Sequence, residues 1–188
     1  ATLKEEVDVT ILQSALDVTV RRFPVLCARL RRGVFWYYLQ QIQQAPSVLE
    51  ENSYPLSGMY SDEMRQCAFR VIVYKKRIAV ELFHSLTDGT GGLVFLKTLV
   101  AEYLQQKYHA PIPAECGILG RLEEPSEAEL EDSFLKYSGN VSASRSERTA
   151  WRLSGTPESH GFLHVTCFEI SSADVLEKAH EYGVSLTV

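Results

Sequence analysis

His84 and Asp88 are the residues whose types and spacing best suit chemistry. They stand in the run His84-Ser85-Leu86-Thr87-Asp88-Gly89, a His-x-x-x-Asp-Gly pattern. An unperturbed imidazole titrates near about 6.5, so a neutral histidine accepts a proton at neutral pH and serves as a general base. Asp88, four residues later, can orient that imidazole, or turn away and lock the loop through a cation elsewhere. Gly89 offers a bend without a Cβ, and Gly91 and Gly92 let a following helix begin close to a ligand. A metal centre fits poorly, because His84 and Asp88 supply two ligands and the segment offers no third. Taken alone, a histidine and an aspartate at this spacing are also what an ordinary, internally satisfied loop contains.

The elements that must hold this motif can be read on both sides of it. Phe69, Val71 and Val73 alternate with Arg70, Ile72 and Tyr74, Lys75-Lys76-Arg77 makes a polar turn, and Ile78 to Phe83 is an apolar run broken only by Glu81. This is a hairpin whose returning strand reads as largely buried and ends on His84. After the motif, Leu93, Leu96, Leu99, Val100, Tyr103 and Leu104 recur at helical spacing as far as Tyr108, and Pro111 and Pro113 stop the helix. Strand, polar loop and long amphipathic helix form the most organised unit in the chain.

Upstream, Ile11, Leu12, Ala15, Leu16, Thr19, Val20 and Phe23 mark one face of a helix capped by Asp8 and ended by Pro24. Leu26, Ala28 and Leu30 alternate with Cys27, Arg29 and Arg31, and Arg32-Gly33 turns into a second, aromatic strand from Val34 to Leu39. Phe35, Trp36, Tyr37 and Tyr38 are expected in the core, with the lining of a substrate pocket as the other reading. Arg21, Arg22, Arg29, Arg31 and Arg32 form a basic cluster that could meet a phosphate, although a solvated helix end and strand face account for it. Residues 44–64 read as a connection with a short strand near Tyr54. Residues 111–161 read as a long surface excursion with one acidic helical stretch from Ser126 to Tyr137. A strand from Phe162 to Ile170 and a helix from Ala173 to Tyr182, closed by Gly183, end the pattern.

Composition narrows the classes. The chain has 188 residues, 45% hydrophobic and 23% charged, with 19 Lys and Arg against 24 Asp and Glu for a net charge of −5. Enough apolar surface is present to bury a core, which excludes collagen-like and disordered classes. A mildly acidic balance gives no global attraction for nucleic acid or an anionic membrane, so any polyanion site has to be local. No stretch approaches the ~18 apolar residues of a membrane span, and the first residues lack a signal-peptide core, which makes the cytoplasm the expected location. Cys27, Cys67, Cys116 and Cys167 are 40, 49 and 51 residues apart, which matches no zinc or redox spacing and predicts reduced, mostly buried thiols.

The strand-His84-x-x-x-Asp88-Gly89-helix unit resembles the acyl-CoA-dependent acyltransferase superfamily, which includes chloramphenicol acetyltransferase, plant acyltransferases, condensation domains and alcohol acetyltransferases. The first helix ending Arg21-Arg22-Phe23-Pro24-Val25-Leu26, the aromatic strand and the hairpin entering the histidine stand in the superfamily's order. Further along, Glu131-Asp132-Ser133-Phe134, Ala150-Trp151-Arg152-Leu153-Ser154-Gly155 and the end Tyr182-Gly183-Val184-Ser185-Leu186-Thr187 look most like the bacterial alcohol acetyltransferase-like branch.

That resemblance implies an α/β, chloramphenicol acetyltransferase-like half: an α+β layered sandwich, a mixed sheet with flanking helices. Residues 1–188 would be the N-terminal domain of a two-part enzyme, with the C-terminal domain absent from this chain and the active site in a tunnel between the halves. His84 would be the general base for acyl transfer from acyl-CoA to an alcohol or amine, while Asp88 and Gly89 would support the loop, the aspartate pairing with an arginine. Acyl-CoA would be a donor substrate, with no bound cofactor and no metal. The other readings are condensation-type transfer from a carrier-protein thioester and a non-catalytic interaction module with the same fold. Phe83 stands where many members have a first histidine, which makes the condensation reading less favoured. Expected partners are a small-molecule acceptor, acyl-CoA and the C-terminal half, with no nucleic acid, no membrane span, and self-association through uncovered apolar surface.

Overall fold

In the computed structural model, which describes residues 1–51, 58–59, 61–131, 136, 154–156, 158–159 and 166–185, the first helix, α1, is Val9–Arg22. The Asp8 carboxylate accepts from the N–H groups of Thr10 and Ile11 at 2.9 and 3.1 Å, satisfying two donors that a helix start leaves unpaired. Leu12, Ala15, Leu16, Thr19 and Val20 form the buried face. Phe23 leaves the helical region, as the residue before a proline must.

Strands β1 (Ala28–Arg32) and β2 (Tyr37–Gln41) make an antiparallel hairpin in which Ala28 faces Gln41 and Arg32 faces Tyr37. The Gly33 N–H donates to the Trp36 carbonyl at 2.7 Å, so Val34, Phe35 and Trp36 belong to the turn and not to the second strand. Every residue of β2 is exposed, which corrects the expectation of an aromatic core strand. A strand is buried only where another layer covers it, and the long helices lie on the other sheet.

That sheet is mixed. Strands β3 (Leu49–Glu50), β4 (Phe69–Tyr74) and β5 (Arg77–Leu82) lie in the order β3-β4-β5, with β3 parallel and β5 antiparallel to β4. A short helix, α2 (Ser61–Met64), precedes β4. Tyr54 lies outside the described residues. The buried strand is β4, where Phe69, Arg70, Val71 and Val73 are inside; β5 is mostly half-buried apart from Ile78. This reverses the expectation for the returning strand, because β4 is central and β5 is at the sheet edge. Buried Arg70 faces Glu81 across the ladder and donates to it from Nε at 2.7 Å.

Helix α3 (Gly89–Tyr108) packs on α1 and on β5. Phe95, Leu99 and Tyr103 are fully buried on its inner face, and Phe95 stands edge-on to both Phe23 and Phe69, with centroids 5.2 and 5.4 Å away. The Asp8 N–H donates to the Tyr103 hydroxyl at 3.0 Å, joining the start of α1 to α3. Beyond α3, residues 111–126 run irregularly to the single-turn helix α4 (Glu127–Leu130). Of the acidic helix expected from Ser126 to Tyr137, residues 132–135 and 137 lie outside the described set.

The chain divides into two compact units, Ala1–Arg148 and Thr149–Val188. In the second, helix α5 (Ser172–Glu181) starts at Ser171, whose hydroxyl accepts from the Asp174 N–H at 3.4 Å. It ends with Gly183 at φ +63° and the Val184 N–H returning to the Ala179 carbonyl at 2.9 Å, the left-handed stop that glycine permits. The strand expected from Phe162 to Ile170 is not formed over residues 166–170, which pair with no strand among the described residues and leave Phe168 and Ile170 exposed; residues 162–165 lie outside the described set. The architecture is a mixed α/β one, with two sheets and flanking helices. Among the described residues, no helix is long and apolar enough to cross a membrane.

Candidate active site

The motif begins where β5 leaves the sheet. The Phe83 N–H donates to the Ala68 carbonyl at 2.9 Å, one step past the ladder, and the Leu86 N–H then donates back to the Phe83 carbonyl at 2.9 Å. That second bond closes a tight turn with His84 and Ser85 at its two corner positions. Leu86 is buried and belongs to the core cluster, whereas His84 and Ser85 are exposed. The turn is thus pinned on both sides while His84 itself is exposed. Among the described residues, no side chain hydrogen-bonds to His84.

Asp88 does not orient the imidazole. Its backbone is extended and its carboxylate accepts from the Gly91 N–H at 2.8 Å, capping α3. The Gly92 N–H donates to the Asp88 carbonyl at 3.0 Å, the first bond of the helix. No arginine reaches Asp88 among the described residues. Among the described residues Asp88 thus acts as a backbone cap on α3, and the arginine partner that the resemblance implies is not seen.

The glycines divide differently from the sequence expectation. Gly89 is the first residue of α3, its φ is negative, and a Cβ there would meet nothing within 4 Å; the bend does not demand glycine at that position. Gly91 does demand it. A Cβ on Gly91 would fall on Thr87 Oγ1 and stand 3.3 Å from the Thr87 Cβ. Gly92 lies against β5, where a Cβ would be 3.2 Å from Leu82 Cδ1. Thr87 and Leu86 are thus the positioning residues that pattern reading passed over; the only signal for Leu86 was a lone apolar residue in a polar loop.

Beside the motif lies a cavity of about 290 Å³ whose walls include Phe23, Leu26, Leu86, Thr87, Gly91 and Val94. His84 does not line it. A larger cleft of about 930 Å³, bordered by Gln43, Pro46, Met59, Gln66 and Arg70, lies away from the motif and contains none of its residues.

Arg22 also borders the smaller cavity. It is buried, not solvated as expected for the basic cluster, and its two terminal nitrogens donate to Glu129 at 3.1 and 3.0 Å, with Glu123 at 3.6 Å. That fork lowers the Glu129 carboxyl below its ordinary range, helped by the Ser126 N–H, and raises Arg22. Arg21, Arg29, Arg31 and Arg32 are not buried.

Other chemistries find little support in the described residues. Cys27 and Cys67 are buried, and burial, with Cys67 alongside, pushes the Cys27 thiol up to about 12. A thiol in that state is a poor nucleophile. Cys116 and Cys167 are exposed, so half of the cysteines are buried and not most of them. Among the described residues, no group of three or more His, Cys, Asp or Glu side chains is placed to hold a metal ion.

No protein-family model and no curated protein matches the chain. Among solved structures it is similar to the SgcC5 protein from Streptomyces globisporus, in complex with (R)-(-)-1-(2-naphthyl)-1,2-ethanediol and sucrose. The TM-score is 0.45 at 17% identity, covering 58% of this chain and 29% of that one. It is similar also to the complex of the X-domain and OxyB from teicoplanin biosynthesis, with a TM-score of 0.43 at 18% identity over 61% of this chain and 29% of that one. The match spans under a third of each of those chains.

Proposed function

We propose that the chain is the motif-bearing half of an acyltransferase that moves an acyl group from acyl-CoA to an alcohol or amine, with His84 as the general base. The observation that carries this reading is the exposed imidazole on a turn fixed by buried Leu86 on one side and the Asp88-capped start of α3 on the other. A base needs reach and a fixed position, and an interaction module needs neither at this histidine. The His-x-x-x-Asp-Gly pattern and its resemblance to the acyl-CoA-dependent superfamily supply the reaction class.

In this mechanism the neutral imidazole takes the proton of the acceptor hydroxyl or amine as its oxygen or nitrogen attacks the thioester carbonyl. The tetrahedral intermediate collapses with loss of the CoA thiolate, which receives the proton from the imidazolium. Asp88, with Gly91 packed on Thr87, keeps the turn in place, and these residues touch no reacting atom. Donor binding and oxyanion stabilisation fall to a second half, so the 188-residue chain alone is inactive, and the enzyme works in the cytoplasm.

The test is acyl transfer by the polypeptide that carries this chain, with acyl-CoA and a panel of alcohols and amines, comparing wild type with His84→Ala. Loss of a general base lowers turnover by about 10²–10⁴-fold. Undiminished turnover sinks the proposal. Turnover supported by a carrier-protein thioester and not by acyl-CoA moves the reading to condensation-type transfer.

A further inference from the structure

The hairpin β1–β2 carries a charge opposite to the net charge of the chain and a run of exposed apolar residues at its turn. From Ala28 to Gln41 it carries Arg29, Arg31 and Arg32 and no aspartate or glutamate, in a chain whose net charge is −5. At its turn, Val34, Phe35, Trp36 and Tyr37 are 80, 89, 62 and 65% exposed. A single exposed aromatic residue is ordinary, but four consecutive large apolar ones form a contiguous patch that marks a contact surface.

The arginines are arranged as well as concentrated. Register places Arg29 and Arg31 opposite Gln40 and Tyr38. The Gln40 Oε1 accepts from the Nε–H of both Arg29 and Arg31, at 3.0 and 3.1 Å. One neutral oxygen therefore holds two guanidinium groups side by side, and among the described residues no carboxylate pairs with Arg29, Arg31 or Arg32. Like charges held together repel, and an anion that joins them removes that cost.

We propose that this hairpin docks the protein on an anionic bilayer, with Phe35 and Trp36 entering the headgroup boundary and Arg29, Arg31 and Arg32 meeting lipid phosphates. Tryptophan and tyrosine favour that boundary, and a basic collar next to an apolar tip adds electrostatic to hydrophobic attraction. A second copy of the chain fits less well, because symmetric pairing of two hairpins sets one arginine collar against the other. Single-stranded nucleic acid is recognised by rings laid along a charged groove, whereas here the large apolar residues are consecutive at the turn. The inference does not depend on the acyltransferase reading.

The experiment is co-sedimentation of the purified chain with phosphatidylcholine vesicles, with and without phosphatidylglycerol, alongside sedimentation velocity in the absence of lipid. Trp36 emission is followed in a Trp151→Phe background. The expected result is binding to the phosphatidylglycerol vesicles only, weakened by salt, with a blue shift of Trp36. Phe35→Ser with Trp36→Ser, and separately Arg31→Glu with Arg32→Glu, each weaken binding by at least about tenfold. Both pairs lie on exposed positions, so circular dichroism and unfolding stay as in wild type. No binding to the anionic vesicles, or binding that the Phe35 and Trp36 pair leaves unchanged, overturns the proposal. So does a dimer that this pair dissolves without any vesicle binding, or capture of a single-stranded RNA without any.

Discussion

An imidazole proposed as a base must be reachable, and at His84 the ring is exposed while the backbone turn that carries it is fixed by different neighbours. Leu86 reaches into the core and Asp88 caps the helix, so neither competes for the ring. The glycines around this turn give a direct test of the geometry. Gly91→Ala puts a methyl group onto Thr87, which overpacks the loop and costs about 1–3 kcal/mol of stability in urea unfolding. Gly89→Ala meets open space at a helical position and is neutral or stabilising by up to about 1 kcal/mol. Equal effects of the two would contradict the placement of Thr87. The motif itself was legible as residue types at a spacing; which glycine is sterically required was not, because that is set by a side chain four residues earlier turning toward it.

Periodicity carried most of the elements. Helices α1 and α3 and the two hairpins stand close to where apolar spacing and the prolines put them, since those signals are local. What covers each element is not local. The aromatic strand β2 looks like core in composition yet lies outside it, and β5 is less buried than β4 although its run is as apolar, because sheet order decides. The sheet-to-helix layer depends on Phe95, fully buried between Phe23 and Phe69. Phe95→Ala should cost about 3–5 kcal/mol, read as a lowered urea midpoint; a loss well under 1 kcal/mol would place the core elsewhere. Arg22 looked like one more surface arginine and is instead buried against Glu129. Because the Glu129 carboxyl is lowered in the folded state, its contribution is present at neutral pH and lost as pH falls through that lowered value. Glu129→Gln should be less stable than wild type at neutral pH and lose less on acidification. Parallel pH profiles for the two proteins would show that the pair contributes nothing.

The buried core cluster of the chain lies between Leu12 and Tyr103, wholly within the unit Ala1–Arg148. A chain ending at Arg148 should therefore keep one cooperative unfolding transition by circular dichroism; its loss would show that the core depends on Thr149–Val188. Charge and composition described an acidic chain without a polyanion preference; the basic cluster was legible in the sequence, and the register of β1 on β2 adds that Arg29 and Arg31 share Gln40 beside an exposed aromatic turn. The most direct measurement is release of CoA from acyl-CoA by the full polypeptide that carries this chain, in the presence of an acceptor alcohol or amine, wild type against His84→Ala, with equal folding verified by circular dichroism. The account predicts that acceptor-dependent release falls by about 10²–10⁴-fold in the variant; release at the wild-type rate would contradict it.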